Sequence, residues 1–315
     1  MLVLSFALTL LSVALGLAVD LMLGETRRWH PLIGFGKLAD AVEQRWNMPG
    51  AGRIKGAFAW MLVVLPLVVV TQFLLFWCAQ FSWCLALFVH IALLYFCLGL
   101  RSLYDHTAPI QQALQDDNLV KARRLTSYIV SRDTEQASEE DLAKASVESL
   151  LENGCDAVFG TLFWFVVAGG AGALLYRLSN TLDAMWGYRT PRLLHFGMVA
   201  ARVDDVLNFI PARLTALTYA VLGKTRLAWQ CWRLQAPAWP SPNAGPVMAA
   251  GAGALGLALG GTASYGGLLE NRPPLGFGEV ARASDIKRAW RLVLWSSLLW
   301  LGCLLGIFLA WMLFR

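Results

Sequence analysis

The sequence contains few charged side chains for its length. Only 15% of its 315 residues are Asp, Glu, Lys or Arg, whereas 57% are hydrophobic. Soluble domains contain about 25% charged residues, so this composition excludes an ordinary soluble protein and is typical of an integral membrane protein. There is also no arginine-rich arm and no interleaving of basic and aromatic residues, so we expect no nucleic acid partner.

Several motifs that identify common functions are also missing. The six cysteines form no CxxC pair, which leaves them best interpreted as small buried hydrophobic residues. No Walker-type glycine-rich loop is present, so a seat for ATP cannot be assigned by motif. No internal repeat of the kind that marks many transporters is evident.

Long apolar runs are the main feature that is present. Four of them, at 2–19, 57–79, 83–100 and 292–314, are long enough to cross a bilayer as helices. The first run has no basic segment before it and no clear cleavage site, so we expect a retained helix and not a signal peptide. The sequence therefore predicts an all-α polytopic membrane protein, in which residues 1–315 form a single membrane domain.

Three further apolar segments are ambiguous. Segment 157–176 is interrupted by GGAG, and segment 205–223 contains Pro211. Each either spans the bilayer or enters and returns, because Gly and Pro breaks occur where the backbone lines protein or a watery cavity. The segment 247–261 is rich in small residues, which favours close helix packing. We expect two or three broken, re-entrant or short embedded helices beside the four spans.

The distribution of charge predicts the orientation. The loop 20–56 is rich in basic residues, including Arg27 and Arg28, so the positive-inside rule places it in the cytoplasm. Segment 101–156 then returns to the cytoplasm, and it holds 6 basic and 11 acidic residues, against 20 and 10 in the remainder. Its helical spacing predicts a small cytoplasmic helical insertion, and Ser138 with Asp141 resembles a capping box. The basic remainder fits contact with a lipid bilayer or an anionic ligand.

Three carboxylates precede the segment 157–176. Glu148, Glu152 and Asp156 follow one another at intervals of four residues, so a continuous helix would place them on one face. Like charges at this spacing repel, and a divalent cation or basic partners would relieve the repulsion. A solvated acidic face is the alternative interpretation.

A second polar group lies in YRLSNTLDAMWGY at 176–188. Asn180 and Asp183 share one helical face, Arg177 lies one turn earlier, Tyr188 follows, and Gly187 is expected to end the helix. These groups are costly to desolvate at a membrane edge, so each needs a partner or a function. An interfacial helix end with a local ion pair would also account for them.

A third group lies in AARVDDVLNFIPARLTAL. Asp204, Asp205 and Asn208 supply oxygen ligands suited to Mg²⁺, while Arg202 and Arg213 could hold phosphate oxygens. The alternative is a helix N-terminus that is enriched in acidic residues.

Two weaker signals remain. Ser241 and Asn243 precede a helix of small residues and could cap a seat for an anion, and His30 precedes Pro31 on the basic loop. A lone histidine is more often structural. Taken together, the polar groups favour magnesium–phosphate chemistry on a substrate held at the bilayer, although an ion pathway would also use such groups.

The order of these motifs resembles the adenosylcobinamide-phosphate synthase family of cobalamin biosynthesis, over nearly the whole chain. The matching segments are DLMLGETRRWHPLIGFGKL, SRDT, VESLLENGCDAVFGTLFW, YRLSNTLDAMWGY, FGMVAARVDDVLNFIPARLTAL, SPNAG and LGLALGGTASYGG. The resemblance implies a bacterial inner-membrane enzyme with its active site facing the cytoplasm. It would join adenosylcobyric acid to (R)-1-amino-2-propanol O-phosphate, or to free aminopropanol, with ATP and Mg²⁺ and through an acyl phosphate.

The resemblance also suggests roles for the polar residues. The residues expected to act in catalysis are Asp183, Asp204, Asp205 and Glu152, and those expected at the metal are Asp204, Asp205 and Asp156. Those expected to bind substrate or phosphate are Arg177, Asn180, Tyr188, Arg202, Asn208, Arg213, Asn153, Ser241, Asn243 and His30. The alternatives are a transporter and a non-catalytic corrinoid-binding scaffold, and the protein could form a homo-oligomer or a complex with other late corrinoid enzymes.

Overall fold

The computed structural model describes residues 5–26, 30–50 and 52–314. Arg27 and Arg28, which contribute to the predicted cytoplasmic loop 20–56, lie outside the described residues. Most of the described chain is helical. The α-helices in this part of the chain are α1 (Phe6–Leu23), α2 (Pro31–Trp46), α3 (Arg53–Phe81), α4 (Trp83–Cys97), α5 (Leu100–Gln115), α6 (Leu119–Thr126), α7 (Glu139–Gly154), α8 (Gly160–Trp186), α9 (Met198–Leu222), α10 (Thr225–Gln235), α11 (Ala244–Leu255) and α12 (Ala283–Leu313).

Five helical segments among the described residues are long and apolar enough to cross a membrane. They are Phe6–Leu23, Arg53–Phe81, Trp83–Gln115, Glu139–Trp186 and Ala283–Leu313. This confirms the prediction of an all-α polytopic membrane protein. Each of the four predicted spans overlaps one of these segments, and the fifth segment contains the ambiguous segment 157–176. The other ambiguous segment, 205–223, lies mostly in α9 and is not among the five.

The apolar segment 247–261 does not form one embedded helix, which corrects the sequence prediction. All twelve residues of α11 are buried, but the helix ends at Gly256, whose φ of 68° lies in the left-handed region. A glycine adopts this conformation at no steric cost and commonly ends a helix. The residues that follow form strand β1 (Leu257–Tyr265).

A small sheet follows α11 and was not expected from the sequence. Its strands β1, β2 (Leu268–Leu275) and β3 (Glu279–Val280) lie in the order β2-β1-β3. Strands β1 and β2 pair antiparallel, whereas β1 and β3 pair parallel. Gly266 and Gly267 connect β1 to β2 with φ values of 57° and 80°, as a tight hairpin turn of two left-handed residues requires.

The chain forms two compact units. The first unit comprises Met1–Gly99, Asp156–Asn208 and Cys303–Arg315, and the second comprises Leu100–Cys155 and Phe209–Gly302. The predicted insertion 101–156 folds as helices α5, α6 and α7. The predicted capping box is confirmed at the start of α7. The side chain of Ser138 accepts a hydrogen bond from the backbone N–H of Asp141, and the side chain of Asp141 accepts one from the backbone N–H of Ser138. The single membrane domain and the cytoplasmic location of the insertion stay predictions.

In the first unit, α8 is broken in its middle. Ala168 and Gly169 have non-helical backbone angles, and Gly169 has φ 64°. The buried His90 of α4 accepts a hydrogen bond at its Nδ1 from the backbone N–H of Gly170, at 3.0 Å. A helix that restarts leaves backbone N–H groups without helical partners, and His90 satisfies one of them. The break fixes the start of the half-helix 170–186.

The end of this half-helix is anchored by packing. Leu178, Leu182 and Trp186 join a buried cluster with residues of α2 and α3. The ring of Trp186 meets that of Phe196 edge to face, with centroids 5.2 Å apart. Gly187 caps α8 as predicted, and its N–H donates to the carbonyl of Asp183. The polar residues between Tyr176 and Asp183 are therefore held from both ends.

Candidate functional site

Three buried or half-buried aspartates of the first unit lie near one another, and two of them accept hydrogen bonds from neutral amides. We call Asp156, Asp183 and Asp204 the aspartate cluster. The amide of Asn208 donates to Asp156 Oδ1 at 2.8 Å, and the amide of Asn180 donates to Asp204 Oδ1 at 3.2 Å. The structure therefore brings together five of the predicted site residues from α8, α9 and the turn before α8.

A tyrosine orients one of these amides. Tyr176 is fully buried, and its hydroxyl donates to Asn208 Oδ1 at 3.0 Å. Because the oxygen of Asn208 is engaged in this way, its amide nitrogen points to Asp156. Gly160 makes room for this ring, since a Cβ there would overlap the phenol of Tyr176. Sequence reasoning missed Tyr176, although its spacing to Asn180 and Asp183 places all three on one helical face.

Asp156 reaches the cluster through an irregular turn. Residues Cys155–Phe159 form a π-helical turn between α7 and α8, and such turns occur frequently at functional sites. The wider turn changes the helical register. The predicted common face of Glu148, Glu152 and Asp156 is therefore interrupted, and Asp156 pairs with Asn208.

The cluster carries excess negative charge. Within the described residues, none of its three carboxylates forms an ion pair with a basic side chain. Burial raises the pKa of Asp204 to about 8, and the neighbouring charges of Asp156 and Asp183 add to the shift. Hydrogen bonds from Asn180 and Asn208 oppose it. Such a group of acids is stabilised by a bound cation or by shared protons.

Asp205 differs from its neighbour Asp204. It is half-buried and lies 3.6 Å from the guanidinium of Arg202, whose own side chain is 77% exposed. Burial raises the pKa of Asp205, and the charges of Arg202 and Arg189 lower it in part. Asp205 and Arg202 thus form an ion pair with each other, and the predicted role of Arg202 in phosphate binding stays a prediction.

Arg177 places a positive charge near the cluster and forms no ion pair with any residue that the structure describes. Its Nε is buried and has no hydrogen-bond partner within the described part of the chain. Its charge acts on both Asp156 and His30. A buried guanidinium donor without a partner costs free energy, so an anionic ligand group is the natural complement for Arg177.

His30 caps the start of α2, and its predicted role in substrate binding stays a prediction. Its Nδ1 accepts from the N–H of Leu32 at 3.3 Å, which caps the helix, and its Nε2 lies 4.0 Å from Glu25. Burial lowers the pKa of His30, with a further decrease from Arg177 and an opposing effect of Glu25.

Tyr188, which was also predicted to bind substrate, follows the end of α8, and its side chain is 54% exposed.

The donor set fits magnesium better than a softer metal. Carboxylate and amide oxygens are ligands for hard cations. Among the residues described, however, no three or more His, Cys, Asp or Glu side chains are arranged to hold a metal ion on their own. Mg²⁺ is commonly held by one or two carboxylates together with water and substrate phosphates, and this mode is compatible with the cluster. The predicted metal ligands Asp156, Asp204 and Asp205 stay predictions.

In the second unit, Arg213 binds protein groups. It donates to Asn243 Oδ1 at 2.7 Å, to the carbonyl of Pro242 at 3.0 Å and to that of Phe209 at 2.9 Å. Its guanidinium also lies 3.7 Å from the centroid of the Phe209 ring. Arg213 therefore ties α9 to the start of α11. Its predicted role in phosphate binding stays a prediction.

The start of α11 is already capped from within. Ser241 Oγ accepts from the backbone N–H of Asn243 at 3.3 Å and of Ala244 at 3.1 Å, and the carbonyl of Ser241 accepts from Gly245. The backbone groups that would form the predicted anion seat thus have partners inside the protein. Of the two other predicted residues in this unit, Asn153 donates to Ser149 and Glu152 is half-buried in α7.

Glu148 lies in a second polar network that sequence reasoning did not assign. We call Glu148, Arg132, Arg272 and the N–H of Gly260 the glutamate network. Arg132 pairs with Glu148, Arg272 donates to it at 2.9 and 3.3 Å, and Gly260 donates at 2.7 Å. Glu148 is 2% exposed. Basic partners, one of the two possibilities open from the sequence, therefore satisfy this carboxylate.

Comparison with known proteins places the chain in a family. The family model described as CobD/Cbib protein matches residues 13–293. The chain is 55% identical over 298 residues to "Cobalamin biosynthesis protein CobD" of Stutzerimonas stutzeri (strain A1501), covering 94% of this chain and 96% of the relative. It is 51% identical over 296 residues to the protein of that name from Chromobacterium violaceum, covering 90% and 93%.

More distant relatives extend the same match. The protein of that name from Mycobacterium tuberculosis (strain ATCC 25618 / H37Rv) is 37% identical over 282 residues, covering 88% of each chain. No solved structure matches the chain. Since the family model and the relatives cover nearly the full length, including the aspartate cluster and the glutamate network, this chain belongs to the CobD/Cbib protein family.

Proposed function

We propose that this protein is an ATP-dependent amide ligase of cobalamin biosynthesis. It would join a propionate carboxylate of adenosylcobyric acid to the amine of (R)-1-amino-2-propanol O-phosphate, or of free aminopropanol. The product is adenosylcobinamide phosphate or adenosylcobinamide. The names of the relatives support the pathway, and the resemblance of the motifs to adenosylcobinamide-phosphate synthases supports the reaction.

One observation carries the chemical part of the proposal. The aspartate cluster brings three carboxylates together, two of which accept hydrogen bonds from neutral amides, and Arg177 offers a buried donor beside them. The substrate carboxylate would attack the γ-phosphoryl group of ATP, which forms an acyl phosphate and releases ADP. A bound Mg²⁺ would supply positive charge to the transferring group. Such chemistry needs both oxygen ligands for a hard cation and a guanidinium for an anionic oxygen.

The chain's own residues would then perform four tasks. Asp204, with Asp156 or Asp205, would hold the cation. Arg177 would hold a phosphate or the substrate carboxylate. Tyr176 and the two asparagines keep the carboxylates in place through the hydrogen bonds described above. The amine would then attack the acyl carbon and displace inorganic phosphate, and a carboxylate of the cluster would accept the proton that the amine loses.

The test is a reconstitution with purified protein in nanodiscs. Adenosylcobyric acid, aminopropanol phosphate, ATP and Mg²⁺ are supplied together and then omitted one at a time, and the amide product is followed by mass. We expect product only with all four components, and a parallel reaction with free aminopropanol shows which amine is used. Corrinoid binding without product under every condition would contradict the ligase and favour a scaffold.

A transporter is a second candidate because α8 is broken at Ala168 and Gly169, and broken helices line the substrate sites of many transporters. It predicts that corrinoid crosses the membrane of sealed vesicles without cleavage of ATP. Flux with no amide product would support transport, whereas product with no flux would exclude it.

A further inference from the structure

Helix α10 has one buried face and one exposed cationic face. Ala228, Cys231 and Gln235 are buried, and α10 packs on α11. The opposite face carries Arg226 and Arg233, both exposed. These arginines follow each other at a spacing of seven residues, so they lie one above the other two turns apart.

Large apolar side chains flank these arginines. Trp229 is 48% exposed and Leu234 is 64% exposed. The Trp229 ring meets that of Trp232 edge to face, with centroids 5.3 Å apart, so the pair presents a broad indole surface beside the charges. Trp and Arg side by side on an exposed helix face are typical of helices that lie in a membrane interface.

The charge around α10 has one sign over a long part of the chain. Between Asp205 and Glu270 the sequence contains no acidic residue, while it contains Arg213, Lys224, Arg226 and Arg233. Arg213 is engaged with Asn243 and Pro242. The other three basic side chains are exposed on or just before α10, so this surface attracts anions.

Contacts within the second unit place the start of α10 beside the point where the uncharged part of α12 begins. The N–H of Lys224 donates to the carbonyl of Ala254 at 2.9 Å, and Arg288 of α12 donates to the adjacent carbonyl of Leu255 at 2.7 Å. The start of α10 and the turn of α12 around Arg288 are therefore at one level. From Leu292 to its end at Leu313, α12 contains no charged residue, so its membrane-embedded part begins about one turn beyond Arg288.

The same level of α12 adds to the basic surface. Lys287 and Arg291 are exposed there, and Trp295, 59% exposed, follows one turn later. A change from basic residues through tryptophan to aliphatic residues along a helix marks the passage from headgroups to hydrocarbon. Helix α10 begins where this change occurs.

We propose that α10 is an interfacial helix that binds the headgroups of anionic phospholipids. Arg226 and Arg233 would contact lipid phosphates, Lys224 would contribute a third charge, and Trp229 and Leu234 would insert beside the headgroups. Charge complementarity and the level of the helix against α12 favour the bilayer surface over any other occupant. The proposal depends on the membrane location of the chain and not on the reaction it performs.

The experiment measures the affinity of the purified full-length protein for phosphatidylglycerol. Delipidated protein is titrated with phosphatidylglycerol in phosphatidylcholine nanodiscs, and bound lipid is counted by native mass spectrometry. The test variant is Arg226→Gln/Arg233→Gln. The matched control is Lys121→Gln/Arg124→Gln on α6, which removes two exposed basic groups of the same unit. Arg226→Lys/Arg233→Lys keeps the charge of α10.

We expect the affinity for phosphatidylglycerol to fall about fivefold for each arginine removed, because a basic residue near an anionic bilayer contributes about that factor. The control and the lysine variant should bind as the original protein does, and soluble glycerol phosphate should not displace the lipid. Unchanged affinity in Arg226→Gln/Arg233→Gln would overturn the proposal, and so would an equal loss in the α6 control. Displacement by glycerol phosphate would instead assign the surface to a small free anion.

Discussion

The negative charge of the aspartate cluster and that of Glu148 in the glutamate network are compensated in opposite ways. Within the described part of the chain, the carboxylates of Asp156 and Asp204 accept hydrogen bonds from the amides of Asn208 and Asn180 and form no ion pair, and the Nε of Arg177 has no hydrogen-bond partner. In the glutamate network, a single carboxylate meets two arginines and a backbone N–H. The first group has too much negative charge for its surroundings, and the second has a surplus of positive charge.

This difference distinguishes a candidate ligand-binding site from a network of ion pairs that stabilises the fold. A buried carboxylate that already has basic partners needs no ligand, and it holds the elements that supply those partners together. The glutamate network joins α7, the residue Arg132 before it and the β1–β2 hairpin in this way. Carboxylates that lack such partners are destabilising unless something else brings the missing charge. The aspartate cluster is therefore where we expect a cation and substrate.

The largest effect should come from neutralising the aspartate cluster. Asp204→Asn should lower kcat on the order of 10²–10³-fold, as expected for loss of an electrostatic contact in the transition state. Above a pH of about 8, where Asp204 is ionised, it should also raise the apparent melting temperature in the absence of Mg²⁺, because a buried negative charge beside Asp156 and Asp183 is removed. Product formation and thermal unfolding of the same preparation are the measurements.

Glu43→Gln is the matched control for that variant. Glu43 is also buried in the first unit, but it is paired with Arg192 and hydrogen-bonded to Asn47. Its neutralisation should lower the melting temperature and leave kcat nearly unchanged. If Asp204→Asn behaves like Glu43→Gln, the cluster is structural.

The next largest effect concerns the glutamate network. Glu148→Gln should lower the free energy of unfolding by about 3–5 kcal/mol, because two arginines lose their buried partner. Denaturant titration in detergent would measure the change, with the exposed Glu140→Gln of α7 as the control. A stability equal to that of the original protein would show that water replaces the carboxylate at no cost, and the proposed stabilising role of the glutamate network would be wrong.

A smaller effect should follow from the break in α8. His90→Phe leaves the N–H of Gly170 without its acceptor, which costs about 1–3 kcal/mol and lets the half-helix that carries Tyr176 and Asp183 shift. We expect kcat to fall while KM for aminopropanol phosphate changes less. His90→Asn provides an acceptor oxygen and should recover part of the lost kcat. A loss of stability with kcat unchanged in His90→Phe would remove His90 from any role in positioning the cluster.

The smallest effect should appear at the exposed turn of the hairpin. Hydrogen bonds from the hydroxyl of Ser264 and from the N–H groups of Gly267 and Gly266 lower the pKa of Asp133 below its usual 3.8. Since the folded pKa is the lower one, this carboxylate stabilises the turn above the unfolded value. The contribution is lost as the pH falls through the folded value.

Hydrogen exchange at Gly266 and Gly267 would detect this loss. Their protection should decrease below a pH of about 3.8, and Asp133→Asn should show weak protection at every pH. Protection that is the same at every pH in both proteins would mean that the turn holds without the carboxylate.

Several features of the fold and the site could be predicted from local patterns. Uninterrupted apolar runs predicted four of the five spans, since the cost of placing charge in lipid acts on each helix separately. Ser138 and Asp141 predicted the start of α7, and Gly187 the end of α8, because caps depend on neighbouring residues. The shared face of Asn180 and Asp183 also follows from helical spacing. The segment at 247–261 was misjudged because a glycine-rich apolar run is compatible with helix and strand alike.

By itself, the sequence determined the membrane class, the order of the polar motifs and the family that they resemble, because each of these depends on composition and on residues close together in the chain. Only the tertiary structure decided which polar groups meet. Asn208 joins Asp156 across 52 positions, Gly170 joins His90 across 80, and Arg272 joins Glu148 across 124. No helical or strand periodicity extends over such separations. Pairing depends on how the helices pack. Among the described residues, that packing pairs Glu148 with two arginines and gives Asp156 and Asp204 hydrogen bonds from amides.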